Sequence, residues 1–197
     1  MKIVVFGPTG MIGSRIVTEL EQRGHEVIGV SRATGADITD PDSVATAAAG
    51  ADAVVSAVAA RGVDYTLTDV ARSAVDGLRR AGVKRLVIVG GAGSLEVAPG
   101  ERLMETADFP DEFKAEAGQG ADALALFRNI SDLDWTYVSP AAFIHPGERT
   151  GHYRLGGDQL LTDESGNSEI SAEDYAIAIA DLLEQGSHPG ARVGVAW

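Results

Sequence analysis

The 197-residue chain contains no cysteine. That excludes a disulfide framework, a thiolate nucleophile and any cysteine-ligated metal, and it suits a reducing compartment. Basic residues are scarce: 16 Lys and Arg stand against 29 Asp and Glu, for a formal charge of −13. Such a surface repels phosphate polyanions, so nucleic acid is not an expected partner, although a local positive site remains compatible with it. No apolar run approaches the roughly 20 residues of a membrane helix. The opening Met1-Lys2-Ile3-Val4-Val5-Phe6-Gly7 is too short an apolar stretch for a signal peptide. A cytoplasmic protein with no membrane partner is expected. His25, His145, His152 and His188 are dispersed, with no pair at metal-ligand spacing. No metal site is expected.

What is present is ordinary globular composition, 45% hydrophobic and 23% charged, in a length suited to one domain. Ile3 to Phe6 is a β-branched run that reads as a strand buried on both faces. Ile12, Ile16, Val17 and Leu20 then fall on one helical face, with Gly24 as a stop and a second strand from Glu26 to Val30. The alternation continues. It predicts a short helix over Pro41–Ala49, a strand over Ala53–Val58, a helix from Leu67 to Gly82 and a strand over Arg85–Val89. Leu95 to Pro110 lacks periodicity and reads as a long loop. A helix over Asp111–Ser131, a strand over Trp135–Val138, and a hairpin or irregular excursion over His152–Leu161 follow. Ser171 caps a final helix, and Arg192–Ala196 is a last strand. Repeated β–α alternation implies an α/β fold: a Rossmann-type, doubly wound parallel sheet between helices, three layers in one domain over 1–197. Residues 140–170 form a small substrate-side region.

Gly7, Gly10 and Gly13 give G-x-x-G-x-x-G directly between the first strand and the first helix. A pyrophosphate can sit at that helix N-terminus, because free backbone N–H groups and the helix dipole both favour an anion. The glycines permit a tight turn, close approach of the phosphates and close helix–strand packing. A nicotinamide dinucleotide is the expected ligand, with Thr9, Met11 and Ile12 also in the cradle. The second strand ends in Ser31-Arg32, with no acid to accept from a ribose hydroxyl. A guanidinium makes a charge-assisted fork to a 2′-phosphate, so NADP(H) is expected over NAD(H). A solvated surface arginine is the alternative for Arg32.

Together, Gly7–Gly13, Ser31-Arg32, Gly35-Ala36-Asp37-Ile38-Thr39-Asp40 and Gly90-Gly91-Ala92-Gly93-Ser94 resemble the atypical short-chain dehydrogenases. Asp134-Trp135-Thr136-Tyr137-Val138-Ser139-Pro140-Ala141 and Ser171-Ala172-Glu173-Asp174-Tyr175-Ala176 extend the likeness over nearly the whole chain. The subgroup resembled is the NmrA-like and NADH-flavin reductase-like proteins, which include relatives of biliverdin reductase B. The resemblance implies that Asp37 and Ile38 flank the adenine and that Ala57 and Val58 pass the central phosphates and ribose. It further implies that Arg61 lies near cofactor or substrate, and that Pro140, Ala141 and Phe143 lie beside the nicotinamide.

The pattern breaks at the catalytic group. Most short-chain dehydrogenases use Y-x-x-x-K, in which the lysine lowers the phenol pKa. Tyr65, Tyr137, Tyr153 and Tyr175 are followed four residues later by Asp69, Ala141, Gly157 and Ile179, and Phe113 stands where the phenol is expected. Carbinol oxidation and sugar epimerisation or dehydration by that route are disfavoured. A flavin or quinone asks less of the protein, since it takes a hydride and collects its proton from water. Ser94 is the weak polar candidate near the nicotinamide, with backbone capping as its alternative. Lys114 reads as a solvated helix lysine, and His145 follows the substrate-side segment. The expectation is an NADPH-dependent reductase of a small planar acceptor, with a non-catalytic dinucleotide sensor as the rival.

Overall fold

The computed structural model describes residues 1–197. In chain order the elements are β1 (Lys2–Phe6), α1 (Met11–Gln22), β2 (Glu26–Val30), α2 (Pro41–Ala48), β3 (Ala53–Ser56), α3 (Leu67–Ala81), β4 (Arg85–Val89) and β5 (Glu96–Ala98). They continue with β6 (Glu101–Arg102), α4 (Asp111–Phe127), β7 (Asp134–Pro140), β8 (Phe143–His145), β9 (Arg154–Gly156), β10 (Glu169–Ser171), α5 (Ala172–Gln185) and β11 (Ala191–Ala196). Seven strands form one sheet in the order β2-β1-β3-β4-β7-β11-β9, parallel except for β9 at its edge.

The apolar run of β1 is explained by burial on two sides. Ile3 and Val5 enter one core with Ile16 and Leu20 of α1 and the apolar face of α5. Val4 and Phe6 enter the other, with Val44 of α2, Leu78 of α3 and Leu124 of α4. A strand whose side chains alternate between two cores has no polar face to show. The result is a Rossmann-type α/β sandwich of three layers. The helix ends follow local chemistry. Thr66 and Asp69 form a reciprocal capping box at α3, and Gly82 closes it in the left-handed region at φ +72°. Pro41 stands in the first turn of α2, whose N-cap Asp40 accepts from the Asp42 N–H.

Several boundaries shift from the expected ones. The expected loop over Leu95–Pro110 contains the β5–β6 hairpin, turning at Gly100 (φ +79°), and a short 3-10 turn at Leu103–Glu105. Strands of two or three residues carry too few positions for a period to register. Residues 57 and 58 leave the sheet after Ser56, and the expected helix to Ser131 ends at Phe127. β7 extends to Pro140, beside Val195. The excursion after His152 supplies β9, and a separate parallel pair joins β8 to β10.

At the amino edge of the sheet Arg85 is buried at 8% exposure. Its guanidinium donates to the carbonyls of Asp134, Leu182 and Ser187 and to Thr136 Oγ1 at 2.7–3.2 Å. It thereby fastens β4 to β7 and to the last turn of α5, where a cation meets the negative end of the helix dipole.

Candidate functional site

The chain leaves β1 through α1 to β2 on one side and returns through α2 to β3 on the other. The carboxyl ends of β1 and β3 are therefore a topological switch point, the place where open α/β sheets bind ligands. Gly7 turns there at φ +82°, and a Cβ on it would lie 2.5 Å from the Ala57 carbonyl oxygen. A Cβ on Gly13 would lie 2.0 Å from the Gly7 carbonyl oxygen, so α1 can start this close to β1 only with glycine. Gly10 is the N-cap of α1 and brings no side-chain cap. The Met11, Ile12 and Gly13 N–H groups belong to the first turn and find no backbone partner. An uncapped helix start of eight residues or more, reached by a loop without Cβ atoms, fits a pyrophosphate. Thr9 lies exposed on the same loop. Sequence reading missed Gly29 on β2: a Cβ there would meet Pro8 Cβ at 2.9 Å, so the loop can lean over β2 only because that strand carries glycine.

On the β2 side, the Ser31 N–H donates to Thr34 Oγ1 at 2.8 Å and starts a one-turn 3-10 helix, Arg32–Thr34. Arg32 is exposed and donates no hydrogen bond within the chain, and its guanidinium carbon lies 6.0 Å from the Tyr65 ring centroid. Asp37 accepts from the Thr39 N–H at 2.8 Å and Thr39 Oγ1 at 2.7 Å. Those bonds, with the Arg32 charge, hold its carboxyl below the usual carboxylate range. Ile38 is buried in the core beside it. Ala57, whose N–H donates to the Phe6 carbonyl at 2.9 Å, and Val58 are half-buried between the two ends of the crevice. Arg61 is exposed, donates to Glu116 and lies 5.2 Å over the Phe113 ring. Lys114 pairs with Asp111 at 2.6 Å.

At the far end Gly90 lies against Tyr137, where a Cβ would sit 2.1 Å from the ring. Pro140 and Ala141 are buried, while Phe143 is 59% exposed. Ser94 Oγ accepts from Arg192 at 2.9 Å, and Arg192 also donates to Asp158 at 2.7 Å. Ser94 is thus tied to β11, through an arginine that sequence reading passed over. From β2 to β7 there are four strand spacings of about 4.8 Å, or about 19 Å, a span that an extended dinucleotide can fill.

No phenol stands free beside a lysine. Tyr137 is buried, donates to the Gly120 carbonyl at 3.2 Å, and burial pushes its hydroxyl up to about 12. Tyr175 is raised well above the ordinary phenol value by burial and donates to the Val138 carbonyl at 2.6 Å. Tyr153 donates to Asp181, and Tyr65 to the Ala59 carbonyl. The three lysines are all elsewhere: Lys2 reaches the Ala49 carbonyl, Lys84 the Asp132 carbonyl, and Lys114 is held by Asp111. No group of three His, Asp or Glu side chains gathers as a metal cage. No helix is long and apolar enough to cross a membrane.

Comparison with known proteins agrees with this geometry. Residues 7–186 match the NAD(P)H-binding family. A solved structure from Burkholderia pseudomallei is 50% identical, with a TM-score of 0.94, and each chain is covered in full. A Bacteroides thetaiotaomicron structure is 37% identical at TM-score 0.91, covering 100% of this chain and 96% of that one. A Streptococcus pneumoniae structure is 38% identical at TM-score 0.86, covering 100% and 99%. Their provisional names differ: an exported protein, an epimerase and an NADH-flavin reductase respectively.

Proposed function

The chain belongs to the NAD(P)H-binding family, and from that premise we propose that it is a cytoplasmic, NADPH-dependent reductase of a small planar acceptor such as a flavin or quinone. The single observation that carries this reading is the absence of a phenol–lysine pair from a crevice otherwise built for the cofactor. A bound reduced nicotinamide would supply the hydride. The chain's own residues bind and orient. Gly7, Gly10 and Gly13 clear the backbone for the pyrophosphate, and the N–H groups of Met11, Ile12 and Gly13 face it. Arg32, exposed and free of any carboxylate partner, offers its fork to a 2′-phosphate and favours NADP(H). Pro140, Ala141 and Phe143 form the wall beside the nicotinamide. Ser94, engaged by Arg192, orients the loop after β4 rather than moving a proton.

A carbinol substrate needs a group that exchanges its hydroxyl proton in the transition state, and every phenol here is already donating to a fixed acceptor. A flavin or quinone needs only alignment and exclusion of water at the moment of transfer. Fluorescence titration with NADPH and NADH, followed by NADPH oxidation with FMN and simple quinones, tests the proposal. Tighter binding of NADPH with turnover of at least one acceptor class is expected. Tight binding with no turnover would make the protein a dinucleotide sensor, and no binding of either nucleotide would sink both readings.

A further inference from the structure

His145 stands in β8, two residues beyond the exposed Phe143, and both of its ring nitrogens face acceptors. Nδ1 lies 2.9 Å from the Pro146 carbonyl oxygen and Nε2 lies 2.7 Å from Glu169 Oε1 on β10. A carbonyl oxygen can only accept, and a carboxylate oxygen such as Glu169 Oε1 accepts from a ring N–H. A neutral imidazole carries one N–H and can satisfy one of these contacts. Satisfying both takes two N–H groups, which is the imidazolium.

The surroundings favour that charge. The Phe143 ring lies 4.9 Å from the imidazole, tilted by 30°, and the Trp197 indole stands nearly perpendicular to it with centroids 6.1 Å apart. Pro146 and Glu169 hold the ring's pKa above the ordinary histidine value, and Glu173 of α5 adds to the effect. Glu173 is itself engaged by Arg15 at 2.5 Å and by the Gly147 N–H at 2.7 Å, so the carboxylate bonded to the ring is that of Glu169. Trp197 donates its indole N–H to Asp174 at 2.8 Å, so that donor is spent away from the imidazole.

We propose that His145, held as an imidazolium against the back of Phe143, supplies the positive charge of the acceptor subsite and so selects planar acceptors that become anions on taking up a hydride. This deepens the reductase reading and rests on it. An oxidised flavin gains two electrons and one proton as a hydride from the reduced nicotinamide, which is left as its oxidised cation. The flavin ring becomes an anion with its charge spread over N1 and the C2 carbonyl, and water later supplies any further proton. With the ring stacked on the exposed face of Phe143, that new charge lies across one aromatic ring from His145. A cation placed where charge develops, in a site that needs no reorganisation, favours the charged product over the neutral reactant. His145 touches Phe143, not the acceptor, so it acts as a positioning residue for charge.

Binding reads this without any turnover. Oxidised and two-electron-reduced FMN are titrated anaerobically into the protein loaded with NADP+, for wild type, His145→Gln and Glu169→Gln. The oxidised nicotinamide is common to all three and cancels in the comparison. The wild type is expected to bind reduced FMN more tightly than oxidised FMN by a ratio about tenfold larger than that of His145→Gln. The wild-type ratio fades as pH rises through the raised histidine value. In Glu169→Gln it fades at lower pH, because the ring has lost its anionic partner. NADP+ affinity is expected to stay the same in the three proteins. Equal ratios in wild type and His145→Gln, or no flavin binding by the wild type, would overturn the inference. If the ratio behaves as expected while no acceptor oxidises NADPH, the reductase reading fails and the charge assignment stands.

Discussion

The two edges of the main sheet treat a guanidinium in opposite ways. At the amino edge Arg85 is 8% exposed and surrounded by three carbonyls and a threonine hydroxyl. At the carboxyl edge Arg32 is exposed and donates to nothing, while Arg61 spans from the loop after β3 to Glu116 on α4. The first arginine is part of the fold, and burial pulls its pKa down against the opposing charge of Asp134. Arg32 lies on a turn that the scaffold positions without consuming its charge, whereas Arg61 is tied to Glu116. In a chain of formal charge −13, a cation left unpaired at one edge, Arg32, marks on the proposed reading where an anion is to be received. On the proposed reading stability sits at the amino edge and recognition at the carboxyl edge, and substitutions should separate the two.

The largest effect is expected at the amino edge. Arg85→Met strands the carbonyls of Leu182, Asp134 and Ser187, and should lower unfolding free energy by about 3 kcal/mol. Urea unfolding measures the loss, and NADPH affinity of the folded variant should stay within about twofold, below about 0.4 kcal/mol. The mirror-image case is Gly13→Ala, whose Cβ would collide with the Gly7 carbonyl. It should weaken NADPH binding about 100-fold, or about 2.8 kcal/mol, with a folded circular dichroism spectrum. If Gly13→Ala bound NADPH normally, the crevice would not be the cofactor site. Arg32→Ala comes next, with about a tenfold loss for NADPH and little change for NADH. Equal losses for both nucleotides would remove the 2′-phosphate from its role.

Between these edges lies the segment from Pro146 to Tyr153, clasped by carboxylates of α1 and α5. Glu19 accepts from both Arg149 and Arg23, and these hydrogen bonds, Arg149's foremost, hold it below the usual carboxylate range despite burial. Burial also opposes the charge on Asp174, but bonds from Thr150, Trp197 and Gly151 outweigh it and lower its pKa. A depressed folded-state pKa stabilises above the unfolded value and loses that contribution as pH falls through the folded one. Hydrogen-exchange protection over residues 146–153, taken relative to the intrinsic exchange rate at each pH, should therefore fall as pH drops from about 4 downward, ahead of the strands of the main sheet. The smallest effect is expected from Phe113→Tyr. No lysine stands ready to activate the new phenol, so NADPH oxidation should change by less than about twofold, or about 0.4 kcal/mol.

The same division explains what the sequence could disclose. The glycine loop was legible because its geometry is local: three glycines at fixed spacing, a strand before them and a helix after them. Even there Gly29 escaped notice, because its reason is Pro8, distant in sequence and adjacent in space. The end proposed to meet the acceptor is assembled from segments far apart. Phe143–His145 pairs with Glu169–Ser171 across more than twenty residues, and each strand is three residues long, too short for alternation to show. Ser94 follows a glycine-rich turn that is visible in the sequence, but Arg192, its partner at a separation of 98 residues, carried no local signal. Motifs report contacts near in sequence. The β8–β10 wall is built from contacts that are not.

The most direct test of the reductase account is anaerobic single turnover of NADPH-loaded protein with FMN, run with NADPH and with NADPH deuterated at the transferred position. The account predicts one NADPH oxidised per FMN reduced, a primary isotope effect on that step, and both retained in Phe113→Tyr. NADPH bound at the glycine loop but left unoxidised by FMN and by quinones, or oxidation with no isotope effect in a single turnover, would contradict it.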